Sequence, residues 1–228
     1  MNDGGFPGVR ASRRRWLAHC TALAAALVLP FGTTASAQGP ARPVVLVVGD
    51  SLSAEYGLVR GSGWVALLEA RLAQQGIAAT VVNASISGDT TSGGRTRLPA
   101  LLKQHRPAIV VLELGGNDAL RGLPLAMTRD NLDTMTKAAK AAGAKVVIAG
   151  MQLPPNYGKQ YGEEFAGLFA TIARAEGAAL VPFLLKGVAD VPQAESLFQR
   201  DRIHPTAQAH PTILDNVWPV LRPLLPKR

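Results

Sequence analysis

The stretch Val44-Val45-Leu46-Val47-Val48-Gly49-Asp50-Ser51 limits the fold of this chain more than any other. Five consecutive β-branched or apolar residues leave no polar face, so a strand made from them is buried on both sides. Such strands belong to parallel sheets covered by helices. The run ends in a corner of small residues, and reacting groups in these sheets lie just past the carboxyl ends of the strands. Ser51 is therefore a candidate nucleophile. Asp and Ser are also ordinary turn and cap residues, so the assignment depends on partners elsewhere in the chain.

The rest of the chain alternates in the same way. Thr80–Asn83, Ala108–Leu114, Lys145–Met151 and Leu180–Pro182 read as four further strands. Between them, apolar residues recur at helical spacing. One helix runs from Trp64, a packing residue, to a stop at Gly76. A short one carries Leu98, Leu101 and Leu102 and ends near His105, expected as an exposed helix end. A third is capped by Thr128 and runs to Gly143; a fourth is striped by Phe165, Leu168, Phe169 and Ile172. In the last helix, Ile213 to Leu221, Pro211 fits the first turn and Pro219 should kink or split it. No repeat or linker interrupts the pattern, which implies one α/β domain with a parallel sheet and right-handed crossovers.

The first 37 residues stand apart from that domain. Arg13-Arg14-Arg15 precedes fourteen mostly apolar residues, Trp16 to Leu29, and then Ala35-Ser36-Ala37. This is the layout of an export signal with a small-residue cleavage site, which assigns 1–37 to a signal peptide and 38–228 to the mature domain. The apolar run falls short of the roughly 20 residues a membrane span needs. Ser12-Arg13-Arg14-Arg15-Trp16-Leu17 also resembles a twin-arginine signal. The expected location is periplasmic or secreted. Cys20, the only cysteine, lies in the leader, so the mature chain has no thiol, disulfide or cysteine metal ligand.

Net charge is +8; four arginines against one aspartate fall in the leader, leaving +5 on the mature part. That charge is scattered, with no basic run and no interleaved aromatics, which argues against a nucleic-acid partner. Weak contact with an anionic lipid surface is the partner such a surface would allow.

Acyl transfer by a serine needs a base, and histidine has a suitable pKa. Of His105, His204 and His210 in the mature part, only His204 has a carboxylate set to orient it: Asp201, three residues earlier. An oxyanion needs fixed donors. Gly88, in the small and polar loop 84–91, offers a backbone N–H, and Asn117, in Gly115-Gly116-Asn117-Asp118, a side-chain amide. Each signal alone is also that of an ordinary turn; their order and shared edge of the sheet give them weight.

In that order, Gly49-Asp50-Ser51-Leu52, Gly88, Gly116-Asn117-Asp118 and Asp201-x-x-His204 resemble the four blocks of the SGNH (GDSL) hydrolases. Asn83 to Thr90, Glu113 to Asp118, Arg97 to Leu102 and Leu153 to Gly158 look like its thioesterase I/protease I/lysophospholipase branch, whose members are also described as arylesterases. The resemblance implies a flavodoxin-like, three-layer α/β/α fold with five parallel strands and neither metal nor cofactor. It also implies Ser51 as nucleophile, His204 as base, Asp201 as its orienter, and an oxyanion hole of Ser51 N–H, Gly88 N–H and the Asn117 amide. Glu55 and Arg202 stand where relatives often have small residues; Glu55 is expected to place a charge near the pocket mouth. No Gly-x-Ser-x-Gly elbow is present. The implied activity is hydrolysis of small-molecule acyl esters, thioesters or lipid esters through an acyl-enzyme. Two alternatives are a carbohydrate O-deacetylase on the same fold, which would want more aromatic sugar platforms, and an inactive binding module, which would not need the full set.

Overall fold

The computed structural model describes residues 42–226; the leader, with its proposed cleavage site, lies outside them. Five parallel strands form one sheet in the order β2-β1-β3-β4-β5: β1 Val44–Gly49, β2 Thr80–Asn83, β3 Ile109–Glu113, β4 Lys145–Ala149 and β5 Ala179–Val181. The apolar runs predict the parallel strands, and the family resemblance the flavodoxin-like arrangement. Every residue of β3 and all but the first of β1 and β4 are buried, while β2 and β5, at the edges, are only partly covered. The strand order is the flavodoxin-like one, whose direction reverses between β1 and β3. Ser51 follows the first of these strands and Asn117 the second.

Six helices complete the layers: α1 Trp64–Gln74, α2 Thr91–His105, α3 Gly116–Leu120, α4 Leu125–Ala141, α5 Lys159–Glu176 and α6 His210–Leu221. Helix α1 packs with α6, and α4 packs between α2 and α5. No helix of the described residues is long and apolar enough to cross a membrane.

Several boundaries differ from the periodicity. Helix α4 starts at Leu125 behind Pro124, and Thr128 is not its cap. Its hydroxyl is instead buried inside the first turn and donates to Asp118 at 3.4 Å. Helix α2 starts seven residues before Leu98, where the Thr90 side chain accepts from the Gly93 N–H. Polar, glycine-rich residues hide that first turn from an apolar count. Pro219 does not split α6: it lies in the last turn of a helix that runs on to Leu221. His105 does end α2, but it is half-buried rather than exposed.

Candidate active site

The corner after β1 is tight. Leu52 N–H donates to Asp50 Oδ1 at 3.0 Å, while the Ser53 and Ala54 N–H groups bond the Asp50 carbonyl at 3.3 and 2.9 Å. Ser51 is thereby fixed with its hydroxyl at the carboxyl edge of the sheet. From the far end of the chain, His204 Nε2 reaches Ser51 Oγ at 2.8 Å, and His204 Nδ1 meets Asp201 Oδ2 at 2.7 Å. Asp201 is itself held, its Oδ1 accepting from the Ile203 and His204 N–H groups at 3.0 Å each. Partial burial pulls this carboxyl upward, but the bonds from His204 and Ile203 outweigh it and hold Asp201 at about 2. The loop closes through a Phe198–Pro205 bridge, and Gln199 Nε2 ties it to the Tyr56 carbonyl at 2.9 Å. The Tyr56 ring lies 4.3 Å from that of His204, inclined by 39°.

Asn117 is the second residue of helix α3, and Gly88 lies on the neighbouring loop. Gly88 has φ +78°, a conformation that favours glycine, and Arg121 holds its carbonyl at 2.9 Å. Neither the Ser51 nor the Gly88 N–H donates to another group of the described residues. The Asn117 amide is fully engaged: Nδ2 donates to Asp50 Oδ2 and to the Asp89 carbonyl, both at 3.0 Å. Arg97 ties these loops together, bonding Asp89 Oδ2 at 2.8 Å, the Gly49 carbonyl at 3.2 Å and the Ala84 carbonyl. All five predicted site residues therefore converge on one edge.

From Ser51 and Asn117 opens a cavity of about 570 Å³, walled by Leu120, Met151, Leu153, Phe183, Leu185 and Ile203. Arg202 and Glu195 stand at its rim as an exposed ion pair of 2.6 Å. Glu55 does not line it. Its carboxylate turns back and accepts from the Gly61 and Gly63 N–H groups at 2.9 and 2.8 Å, closing its own loop. Among the described residues, no cluster of three His, Cys, Asp or Glu could hold a metal ion.

Sequence reasoning missed Glu113, which is buried under the corner and accepts from Ser53 Oγ at 2.7 Å and from the Asp50 N–H at 3.2 Å. Trp64 is more than packing: its Nε1 donates to Ser53 Oγ at 3.1 Å. An acid inside the apolar run Ile109–Leu114 was the available signal, since a buried carboxyl needs partners.

The profile of the GDSL-like Lipase/Acylhydrolase family matches residues 47–211 of this chain. The chain belongs to that family. Its relatives include Esterase TesA of Pseudomonas aeruginosa, 54% identical over 82% of this chain and 92% of that protein. Thioesterase 1/protease 1/lysophospholipase L1 of Escherichia coli K12 is 42% identical over 81% and 86%. The crystal structure of TesA superposes with a TM-score of 0.77 over 80% of this chain and 99% of that one, at 54% identity. Esterase EstA from Pseudoalteromonas sp., in a structure inhibited by monoethylphosphonate, gives 0.74 over 79% and 97%, at 37% identity. As a member of the family, the protein is a carboxylic-ester hydrolase whose substrates are small-molecule esters.

Proposed function

We propose that the protein is an exported serine hydrolase that cleaves acyl esters and thioesters with an apolar acyl chain through a covalent acyl-enzyme. Ser51 Oγ attacks the acyl carbon while His204 Nε2 takes the hydroxyl proton, and Asp201 keeps the imidazole oriented and steadies the imidazolium. The former carbonyl oxygen, now an anion, is received by the Ser51 and Gly88 N–H groups and by the Asn117 amide. That amide must release an acceptor. The anion displaces the neutral Asp89 carbonyl more readily than the Asp50 carboxylate, because charge-assisted bonds are the stronger ones. Collapse expels the alcohol or thiol, which leaves with the proton from His204. Water then attacks the acyl carbon with His204 again as base, and the free acid departs. Water is the only co-reactant the balance requires.

The observation that carries this reading is the Asp201–His204–Ser51 pair of bonds, 2.7 and 2.8 Å, at the mouth of an apolar cavity. Inhibition of a 37%-identical esterase by a phosphonate supports a nucleophile of this kind. A fluorophosphonate probe should add one phosphonyl mass, mapped to Ser51, and p-nitrophenyl esters of rising chain length should give turnover until the cavity is full. Labelling elsewhere, or no labelling of folded protein, would refute it.

Export follows from the leader: residues 1–37 are a signal peptide and the mature chain starts at Gln38. Intact mass of the exported protein checks this, and a retained leader would overturn it. Weak contact with a lipid surface is supported by exposed apolar side chains on the site's own loops, where Ile86 is 52% and Ile203 49% exposed. Co-sedimentation with anionic vesicles that equals the protein-alone control would remove it.

A further inference from the structure

Beneath the candidate oxyanion site lies a pair of buried carboxyls that the acyl-transfer steps leave unused. Asp50 and Glu113 are each only 2% exposed. They close adjacent strands, with Gly49 and Glu113 opposite one another in the β1–β3 register. Among the described residues neither forms an ion pair with a Lys or Arg. Two unpaired anions at such depth would be very costly.

The hydrogen bonds show how the cost is avoided. Glu113 Oε2 accepts from Ser53 Oγ and from the Asp50 N–H, while Asp50 accepts from the Leu52 N–H through Oδ1 and from Asn117 Nδ2 through Oδ2. Glu113 Oε2 lies against the Asp50 backbone N–H, and the charge of Asp50 adds to burial in pushing the Glu113 carboxyl up, so a proton held on the pair removes the second buried charge. Burial is the main force raising both: Glu113 moves well above the carboxylate range and Asp50 to about 6. Bonds from Leu52 and Asn117 and the nearby His204 hold Asp50 down, against Asp89, which acts the other way. Both Asp50 oxygens take N–H donors, from Leu52 and Asn117, as suits an anion, whereas the two donors to Glu113 meet Oε2 alone; the geometry therefore favours Asp50 as the anion and Glu113 as the acid.

We propose that Asp50 and Glu113 form one proton-sharing pair, Glu113 donating and Asp50 accepting, and that this pair aims the Asn117 amide at the reacting carbonyl. A side-chain amide can turn either end toward a neighbour. An anionic Asp50 repels the amide oxygen and accepts its N–H, so the charge selects the rotamer that presents a donor. Protonated Glu113 keeps the Asp50 carboxylate in place without adding a second charge to the pocket floor. Ser53 and the Trp64 indole fix Glu113 in turn, which links helix α1 to Asn117. Both carboxyls are positioning residues, and the inference rests on Asn117 being an oxyanion donor.

A double-mutant cycle on a p-nitrophenyl ester tests this. Glu113→Met should lower kcat by about 10- to 100-fold with KM within about twofold, as expected of a donor misplaced by about 1 Å. Glu113→Gln, which can accept from Ser53 and donate to Asp50, should recover most of that loss. In an Asn117→Ala background, Glu113→Met should cost less than about threefold further, because it acts through the missing amide. A full additive drop in that background, or a folded Glu113→Gln as impaired as Glu113→Met, overturns the inference alone. Normal kcat in Asn117→Ala overturns the donor reading and the inference with it. Where Glu113→Met fails to fold, Asp50→Asn takes its place in the same cycle: a further loss under about threefold in the Asn117→Ala background supports the pair, and a full additive drop overturns it.

Discussion

Gly49 and Glu113 are so close that a Cβ on Gly49 would stand 2.6 Å from Glu113 Oε2, and 2.8 Å from Ser53 Oγ. The first residue of the Gly-Asp-Ser corner is thus glycine for want of space, the occupant being the buried acid. Gly49→Ala has to push both neighbours aside, and overpacking of this kind costs about 1–3 kcal/mol. The expected result is a lower urea midpoint together with a lower kcat in the protein that remains folded. An unchanged midpoint would mean that the carboxyl pair has room to move.

Activity should fall in a graded way across the serine, histidine and aspartate. Ser51→Ala or His204→Ala should each remove about 10⁶-fold of kcat, because the residues act as a unit, and Asp201→Ala only about 10⁴-fold. His105, at the end of α2, is the control: His105→Ala should turn over like the parent. Equal losses at His105 and His204 in steady-state assays would move the base assignment.

The sheet was legible because the central strands are apolar on both faces, so Val44–Val48 and Ile109–Leu112 needed no context to be placed. Boundaries that depend on polar contacts were not. Thr128 has the chemistry of a cap, yet Asp118, from the short helix α3, captures its hydroxyl. The same carboxylate receives the Thr91 N–H at 2.9 Å at the start of α2, which an apolar count cannot see. At the site, the four blocks located the residues that converge on one edge, since each follows a strand or closes the last loop. Glu113 went unread because its partners, Asp50 and Ser53, are about 60 residues away, and only the sheet register brings them together.

Stability should carry a histidine signature. His210 opens α6, and its Nδ1 accepts the Trp64 N–H at 3.0 Å, which requires an unprotonated nitrogen. Burial lowers it from 6.5 to about 4, against a smaller opposing effect of Glu55. Between those values the unfolded chain binds more protons, so this contribution is lost as pH falls from about 6.5 toward 4. Asp50 works the other way, being raised from 3.8 to about 6 and favouring the fold on acidification within that window. Comparison with His210→Gln isolates the histidine: the Tm advantage of the parent should shrink between about pH 7 and about pH 4.5. A constant difference would show that His210 does not titrate with unfolding.

Asn117 can be separated from a mere turn former by two substitutions read together. Removing one oxyanion donor costs about 10²–10³ in kcat, so Asn117→Ala and Asn117→Asp should both lose that much near neutral pH with little change in KM. Their stabilities should diverge. Asn117→Asp places a carboxyl where Asp50 Oδ2 and the Asp89 carbonyl, each 3.0 Å away in the parent, are both acceptors. The new group fits only when protonated, which raises its pKa above the ordinary value of about 3.9. A raised folded pKa gives a penalty that is absent below about pH 4 and grows as pH rises. Asn117→Ala adds no titrating group but removes one of the bonds that hold Asp50 down, so its Tm offset from the parent should stay flat up to about pH 6 and widen only above it. Melting curves from acid to neutral pH, beside kcat, decide the matter. Parallel offsets in the two variants, with kcat tracking only the folded fraction, would return Asn117 to the role of a turn residue.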